Sequence, residues 1–291
     1  MAFNAQTFRT RAGTAVVFVV IMGLGLFWSQ WSFFILFSFV HFGCWIEYGK
    51  LVEKITPEYR RISALHKWAP MVAGWCGMLY LTNNQLQLGG VLLTEAGGWA
   101  GLFFLFLLPL FMLLPVKNLS VRAIGYTILG LLYISVSLAL LVYLRFQWDE
   151  AAYRLSMTIP LLAIFTLWVN DTMAYIVGSL IGKTPLSPIS PKKTWEGTIG
   201  GALLAIIVMC AIAYATGRLP VVHAAAIAAL SAAAGTLGDL FESKLKRMAG
   251  VKDSGNIMPG HGGFLDRFDS LLFASTVVWL YAVLFIPQGG F

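Results

Sequence analysis

The densest group of charged side chains lies in residues 239–269, about a tenth of the chain. It holds ten of the 33 charged residues: Asp239, Glu242, Lys244, Lys246, Arg247, Lys252, Asp253, Asp266, Arg267 and Asp269. Asp239 and Glu242 are three positions apart, as are Asp266 and Asp269, so each pair shares one face of a helix. A returning loop that joined the two pairs would create an oxygen-rich site suited to Mg²⁺. Alternatively, these carboxylates are solvated interfacial charges that pair with the basic residues of the same segment.

A glycine-rich turn, Pro259-Gly260-His261-Gly262-Gly263, lies between the two carboxylate pairs. Glycines allow the backbone to direct amide groups towards an anion, and a helix that begins just downstream adds its partial positive charge. Lys252 and Arg267 flank the turn, so the segment favours a loop that handles phosphate groups. A P-loop is excluded, because no GxxxxGK[ST] pattern is present. For His261, a role in handling phosphate and a role as a turn or capping residue are equally open interpretations.

A second polar group lies closer to the N-terminus. Asp171 falls inside an apolar run, where a carboxylate is costly and indicates either function or a structural partner on a neighbouring helix. Lys192 and Lys193 suit a diphosphate or an anionic lipid headgroup, although loop lysines can also serve topology alone. Thr194 can cap the helix that follows it, and the Glu196 carboxylate in the first turn complements the helix dipole.

The composition decides which kind of fold can position these groups. Of 291 residues, 58% are apolar and 11% are charged, and the mean hydropathy is +0.78. A soluble core of this size cannot hide so much apolar surface, so we predict an integral membrane protein. This excludes a soluble globular enzyme, a disordered chain and a disulfide scaffold. The net charge of +7 is interpreted as loop lysines and arginines that set membrane orientation, with no nucleic-acid partner.

About nine apolar segments are candidates for membrane-spanning helices. They are 98–115, 121–145, 154–182, 196–216, 219–238, 264–287, the shorter 68–82, and two helices that divide 14–48 near Ser29 and Gln30. Basic residues gather in the loops after spans two, four, six and eight, which predicts a cytoplasmic N-terminus. The predicted fold class is therefore all-α and polytopic. In it, residues 1–160 form a scaffold that faces lipid, and residues 161–291 carry the catalytic site.

The polar motifs together resemble those of a known family. Ser243–Arg247, Lys252-Asp253 and Pro259–Asp269 are similar to the long signature of the phosphatidate cytidylyltransferases, also called CDP-diacylglycerol synthases. Ser190–Gly197 resembles a second motif of that family, and Asn170–Tyr175 a third. The resemblance is close over about residues 165–275, whereas the rest of the chain agrees only in hydropathy.

The resemblance implies a reaction in which CTP and phosphatidic acid give CDP-diacylglycerol and pyrophosphate. It implies Mg²⁺, alone or with a second cation, and it implies that Asp239 and Asp266 are the metal ligands. Asp269 is expected to be a further ligand or to support one. The expected partners are CTP, phosphatidic acid and membrane lipids, and some family members form homodimers. Because CTP is cytosolic, the active site is expected at the cytoplasmic face, in a bacterial inner membrane.

The reacting phosphate monoester is already anionic at neutral pH, so this chemistry needs charge neutralisation and no strong general base. The expected catalytic residues are Asp239, Asp266, Asp269, Lys246, Arg247, Lys252 and Arg267. The expected substrate-binding residues are Asp171, Ser190, Lys192, Lys193, Glu196, Lys244, His261, Gly262 and Gly263.

Two other function classes match part of the pattern. A CTP-dependent lipid kinase would transfer the γ-phosphoryl group and release CDP, although the long signature disfavours it. A transporter could use Asp171 as a coupling-ion site, but the charges gather on one membrane side and no inverted repeat is visible. A CDP-alcohol phosphotransferase is disfavoured, because its DxxDG…AR…GxxxD pattern is absent.

Overall fold

Helices dominate the computed structural model, which describes residues 5–113, 120–147, 153–256 and 262–287. The helices are α1 (Ala5–Phe27), α2 (Gln30–Ile55), α3 (Pro57–Arg61), α4 (Ala64–Tyr80), α5 (Leu93–Leu113), α6 (Val121–Gly130), α7 (Ser137–Phe146), α8 (Tyr153–Ile181), α9 (Trp195–Thr216), α10 (Val221–Met248) and α11 (Leu265–Phe285). A π-helical segment, Leu131–Val136, joins α6 to α7. Two short antiparallel hairpins complete the described elements: β1 (Gln87–Leu88) with β2 (Val91–Leu92), and β3 (Pro185–Ser187) with β4 (Ser190–Thr194).

Six helical segments of the described chain are long and apolar enough to cross a membrane. They are α2, the continuous rod from α6 to α7, α8, α9, α10 and α11. The predicted class, an all-α polytopic integral membrane protein, is therefore confirmed. The other three predicted segments overlap α1, α4 and α5. The count of nine spans and the cytoplasmic N-terminus stay predictions.

The predicted division of the long N-terminal apolar run is confirmed, and its cause is local. α1 ends at Phe27 and α2 begins at Gln30. The Ser29 side chain accepts a hydrogen bond from the Ser32 amide at 3.0 Å, and the Ser32 hydroxyl accepts one from the Ser29 amide at 2.9 Å. This reciprocal capping satisfies amides that the start of α2 would otherwise leave unpaired.

α8 and α9 pack closely because small residues line their contact. A Cβ atom at Gly201 would lie 2.8 Å from the Asn170 carbonyl oxygen, so a larger residue there would force the two helices apart. On the outer face of α9, Ile199, Leu203 and Ile207 are exposed at a helical spacing, as expected of a surface that faces lipid. The β3–β4 hairpin connects the two helices, and the Thr194 hydroxyl caps α9 by accepting from the Gly197 amide at 3.2 Å.

α10 is longer than the predicted span 219–238, which is a correction to the sequence analysis. The helix continues to Met248, so about the first third of the charged segment is helical. Glu242 and Lys246 form an ion pair one turn apart within this extension, which supports the helix beyond its apolar run. At Gly238 a Cβ atom would lie 2.5 Å from the Asp269 carbonyl oxygen. Glycine therefore lets α10 approach α11 closely beside the charged residues.

Two buried apolar clusters hold the helices together. The larger lies among α2, the α6–α7 rod and the first half of α11, and includes Phe37, Tyr48 and Leu138. The smaller joins α8, α9, α10 and the second half of α11, and includes Ile159 and Met209. The larger cluster also includes residues of α1, α4, α8 and α10. The beginning of α11 thus packs in the larger cluster and its end in the smaller one.

Candidate active site

A cavity of about 750 Å³ lies between α1, α8, the β3–β4 hairpin, α10 and α11. Its charged lining residues are Asp171, Lys192, Lys193, Asp239, Asp266, Arg267 and Asp269. Its apolar lining includes Phe18 and Met22 of α1 and Leu167 and Trp168 of α8. A cavity lined by both charged and apolar residues suits a ligand that has both characters. The structure therefore brings together seven residues that the sequence analysis selected from separate motifs.

One side of the cavity is formed by Asp171, Lys192, Lys193 and Asp239, which we call the hairpin side. The Lys193 ammonium lies 2.7 Å from Asp239 Oδ2 and so joins the hairpin to α10. Both side chains keep contact with solvent, at 34% and 27% exposure. Lys193 also interacts electrostatically with Asp171 of α8 and Asp269 of α11. Lys193 therefore forms an ion pair with Asp239 and lies close enough to influence two further carboxylates.

Asp266, in the first turn of α11, also lines the cavity. Its Oδ2 atom accepts hydrogen bonds at 2.8 Å from the Ser254 amide and from the Gly263 amide. Its Oδ1 atom accepts from the Lys246 ammonium at 2.6 Å. Lys246 also pairs with Glu242, whose side chain is fully buried. Asp266 is thus fixed by backbone amides on one oxygen and by an ion pair on the other.

A glutamate that the sequence analysis did not select completes this arrangement. Glu47, on α2, is only 6% exposed and accepts from the Phe264 amide at 3.0 Å and the Leu265 amide at 2.9 Å. The Ser254 hydroxyl lies 2.8 Å from Glu47 Oε2 and 2.8 Å from Asp266 Oδ2, and it can donate its proton to either carboxylate. We call this set the buried network, and it consists of Glu47, Glu242, Lys246, Ser254 and Asp266.

A signal for Glu47 was present in the sequence. The residue lies within the long apolar run 14–48, where a carboxylate is costly, and the same reasoning singled out Asp171. Glu47, like Phe18 and Met22, belongs to the part of the chain interpreted as scaffold. Residues 1–160 therefore contribute side chains to the site, and the proposed division of the chain at residue 160 stays a prediction.

In the described part of the glycine-rich turn and directly after it, backbone amides donate hydrogen bonds to carboxylates of the protein itself. The Gly263 amide donates to Asp266, and the next two amides donate to Glu47. Gly262 has a φ of +82°, which favours glycine. The expected contact of Gly262 and Gly263 with a substrate anion stays a prediction. Pro259, Gly260 and His261 lie outside the described residues.

The other predicted site residues are not part of the described cavity lining. Lys246 belongs to the buried network, and the Arg247 guanidinium donates to the Val251 carbonyl at 3.1 Å beyond the end of α10. Glu196 accepts from the Lys183 and Thr184 amides at 3.2 Å and so fixes the start of the hairpin segment. The remaining three are Lys244 and Lys252, which are exposed, and Ser190, which lies in β4.

The donor set of the cavity fits Mg²⁺ in chemical type. Four aspartates line it, and carboxylate oxygens are the ligands that this ion prefers. Among the described residues, however, no group of three or more His, Cys, Asp or Glu converges closely enough to hold an ion. Mg²⁺ is commonly held by one or two carboxylates together with substrate phosphates and water, which matches Asp239 and Asp266 in number. The metal role of these two residues stays a prediction.

Comparison with known sequences identifies the class of protein. The Cytidylyltransferase family matches residues 9–285, and the chain belongs to that family. The chain is similar to the phosphatidate cytidylyltransferase of Bacillus subtilis (strain 168), with 37% identity over 187 residues, or 63% of this chain and 67% of the relative. It is 43% identical over 132 residues to the phosphatidate cytidylyltransferase of Synechocystis sp., which covers 44% of each chain. The one from Staphylococcus aureus (strain COL) is 48% identical over 115 residues, or 39% of this chain and 44% of the relative. The family resemblance is thus confirmed, and the latter two alignments cover less than half of each relative.

Proposed function

We propose that this protein transfers the cytidylyl group of CTP to phosphatidic acid, forming CDP-diacylglycerol and pyrophosphate in phospholipid biosynthesis. The proposal rests on the cavity, which is lined by both charged and apolar residues in a chain of the cytidylyltransferase family. The charged residues suit the phosphates of both substrates, and the apolar residues suit the lipid. The similar proteins of Bacillus subtilis and Synechocystis are named phosphatidate cytidylyltransferase, after this same activity.

The reaction joins two anions, and the cavity supplies cationic groups to offset their repulsion. A phosphate oxygen of phosphatidic acid attacks the α-phosphorus of CTP, and the bond from that phosphorus to the β-phosphate oxygen breaks. Lys192, Lys193 and Arg267 line the cavity and are placed to neutralise phosphate oxygens as charge moves to the leaving pyrophosphate. No side chain has to remove a proton, because the attacking phosphate is already ionised.

Asp239 and Asp266 are the residues that would hold Mg²⁺. When bound, the ion would neutralise charge on the triphosphate. Asp269, on α11, would be a further ligand of the ion or would support one. It is 6% exposed and accepts a hydrogen bond from the Ser270 amide at 2.6 Å. Asp171 and Asp269 add two further carboxylates, enough negative charge for a second cation.

Asp266 and Arg267 lie at the start of α11, and Lys246 and Arg247 lie in the last turn of α10, so charged residues gather at this end of the two helices. We assign this end to the cytoplasmic face of a bacterial inner membrane, because basic residues gather in the same loops and the named relatives include bacterial proteins. CTP would then arrive from water, and phosphatidic acid would enter from the bilayer beside α1 and α8. Assembly into a homodimer is part of the same proposal and follows from the family resemblance alone.

Purified protein tests the proposal when it is given phosphatidic acid, Mg²⁺ and CTP labelled at either the α- or the γ-phosphate. We expect the α-label in a lipid product and the γ-label in pyrophosphate, with both lost when EDTA removes the metal. A γ-label in the lipid would identify a kinase and contradict the proposal. Uptake of a solute into proteoliposomes without CTP, and without any labelled lipid, would favour a transporter. Glu58→Gln, on α3 outside the cavity lining, is a control that retains activity.

A further inference from the structure

The start of α11 depends on a side chain from a distant helix. Phe264, the residue at the cap position, supplies no side-chain hydrogen bond to the helix. The Glu47 carboxylate of α2 accepts the Phe264 and Leu265 amides instead, although more than 200 residues separate the partners in sequence. A carboxylate at this position also interacts favourably with the positive end of the helix dipole. Glu47 therefore does the work of a helix cap from outside the helix.

We propose that Glu47 is a positioning residue for the reaction, which fixes the first turn of α11 and, through Ser254, the orientation of Asp266. The expected effect on the reaction rests on the proposed function, whereas the expected effect on the start of α11 rests on the hydrogen bonds alone. Glu47 does not line the cavity in the described structure, so its effect on substrate is indirect.

Ser254 is the connection between the two carboxylates. Its hydroxyl is within 2.8 Å of both Glu47 and Asp266, and its amide donates to Asp266 at 2.8 Å. The Asp266 amide in turn donates to the Ser254 hydroxyl at 3.3 Å. A shift of Glu47 would therefore reach Asp266 through a single intervening residue. Because Asp266 and Arg267 both line the cavity, it would also alter the position of two charged groups that face the substrates.

The surroundings of Glu47 are shaped around its carboxylate. A Cβ atom at Gly255 or at Gly263 would overlap the carboxylate oxygens. The two glycines thus leave the space that the side chain occupies, and the backbone approaches it closely from both sides. Polar groups confined in this way hold a narrow geometry, because a displaced carboxylate would lose hydrogen bonds that no water can replace.

Glu47→Gln tests the proposal, because the side chain keeps its size but exchanges one accepting oxygen for a donating NH2 group. That group would face an amide or hydroxyl donor. We expect kcat to fall about 10- to 100-fold, as is usual when a group that orients a metal ligand is lost. The Mg²⁺ concentration for half-maximal activity should rise several-fold, while the KM for phosphatidic acid stays within about twofold. Glu47→Asp keeps both oxygens and should recover part of kcat.

A second measurement needs no activity. Hydrogen exchange of the metal-free protein should be faster in Glu47→Gln for peptides that contain Phe264 and Leu265, and unchanged for peptides from α9. The matched control is Glu53→Gln, which alters another glutamate of α2 that pairs with Lys67 at 2.6 Å. This variant should match the wild type in exchange at residues 262–268, in kcat and in its Mg²⁺ requirement.

Ser254→Ala separates the connection from the cap, because it removes the hydroxyl but leaves the amides of Phe264 and Leu265 bonded to Glu47. We expect its Mg²⁺ requirement to rise with little change in the exchange of those two amides. The fold-reduction in activity of the double variant Glu47→Gln/Ser254→Ala should be smaller than the product of the fold-reductions of the two single variants. Both substitutions act on Asp266, so their effects overlap.

Two results would overturn the proposal. One is a rate of hydrogen exchange at residues 262–268 in Glu47→Gln that equals the rate in the wild type. The other is a kcat loss with an unchanged Mg²⁺ requirement and no recovery in Glu47→Asp, which would indicate a general loss of folding. If wild-type protein made no CDP-diacylglycerol, the proposed function would fail, whereas the exchange experiment would still decide whether Glu47 fixes α11.

Discussion

The hairpin side of the cavity and the buried network both combine carboxylates with lysine side chains, but they hold these groups differently. On the hairpin side, the Lys193–Asp239 pair keeps about a third and a quarter of its surface exposed. In the buried network, Glu242 is fully buried, and Asp266 accepts from backbone amides, a hydroxyl and an ammonium group. Both regions gave the same sequence signal, acidic and basic residues beside an apolar run. The number of internal partners therefore distinguishes the partly exposed Lys193–Asp239 pair from Asp266, which lines the cavity but is also held in place by the network.

This difference has an energetic consequence. A partly exposed ion pair contributes little to stability, because water solvates both partners when they separate. A buried carboxylate that loses its partner has no such replacement, so the cost is large. We therefore expect variants of the buried network to lose both stability and activity, and variants of the hairpin side to lose activity alone.

The largest effect is expected for Lys246→Met, which leaves Glu242 and Asp266 without their shared cation. The free energy of unfolding should fall by about 3–5 kcal/mol, the usual cost of breaking a buried pair from one side. Thermal unfolding in detergent measures this loss. The double variant Glu242→Gln/Lys246→Met should recover part of the stability, since it removes one of the two stranded carboxylates. No recovery would contradict the role given to Glu242.

Asp266→Asn is expected to affect stability and activity together. Its amide oxygen can still accept from backbone donors, but the NH2 group would face the Lys246 ammonium. Loss of this charge-assisted bond should lower the free energy of unfolding by about 1.5–3 kcal/mol. Formation of CDP-diacylglycerol should fall at least about 100-fold. A variant with near-normal product formation would refute the assignment of Asp266 as a metal ligand.

Asp239→Asn gives the sharpest contrast, because the same chemical change falls on the hairpin side. We expect a similar loss of product, at least about 100-fold. The free energy of unfolding should change by less than about 1 kcal/mol, because the pair with Lys193 is partly exposed. Product assays and unfolding of the same preparations measure both quantities. Equal destabilisation by the two Asn variants would remove the distinction between the regions.

Lys193→Gln should have the smallest effect. The side chain neutralises phosphate charge in the proposed mechanism, so the KM for CTP should rise about tenfold, equivalent to about 1.4 kcal/mol. The unfolding transition should match that of the wild type. The rise in KM should also shrink at high salt, because mobile ions screen an exposed charge. A KM that stays unchanged at low salt would exclude Lys193 from CTP binding.

Much of the fold could be predicted because its signals are local. A long apolar run specifies a membrane helix whatever its neighbours are, and Ser29 ends one such run through contacts with residues three positions away. The end of α10 was not predicted, because the apolar run stops near residue 238 while the helix continues through an ion pair. Hydropathy detects burial in lipid, but it does not detect support from paired charges.

The sequence alone therefore determined the membrane class, the approximate helical segments and the family motifs, all of which depend on residue types at short spacing. Only the tertiary structure decided which charged groups face the cavity and which are used internally. Glu47 shows the reason most clearly. Its hydrogen-bonding partners lie 207 to 218 positions along the chain, and only the packing of α2 against α11 brings their donors to its carboxylate. The spacing of residues along a sequence shows neither which distant groups the fold brings together nor how many acceptor atoms are already used by internal hydrogen bonds.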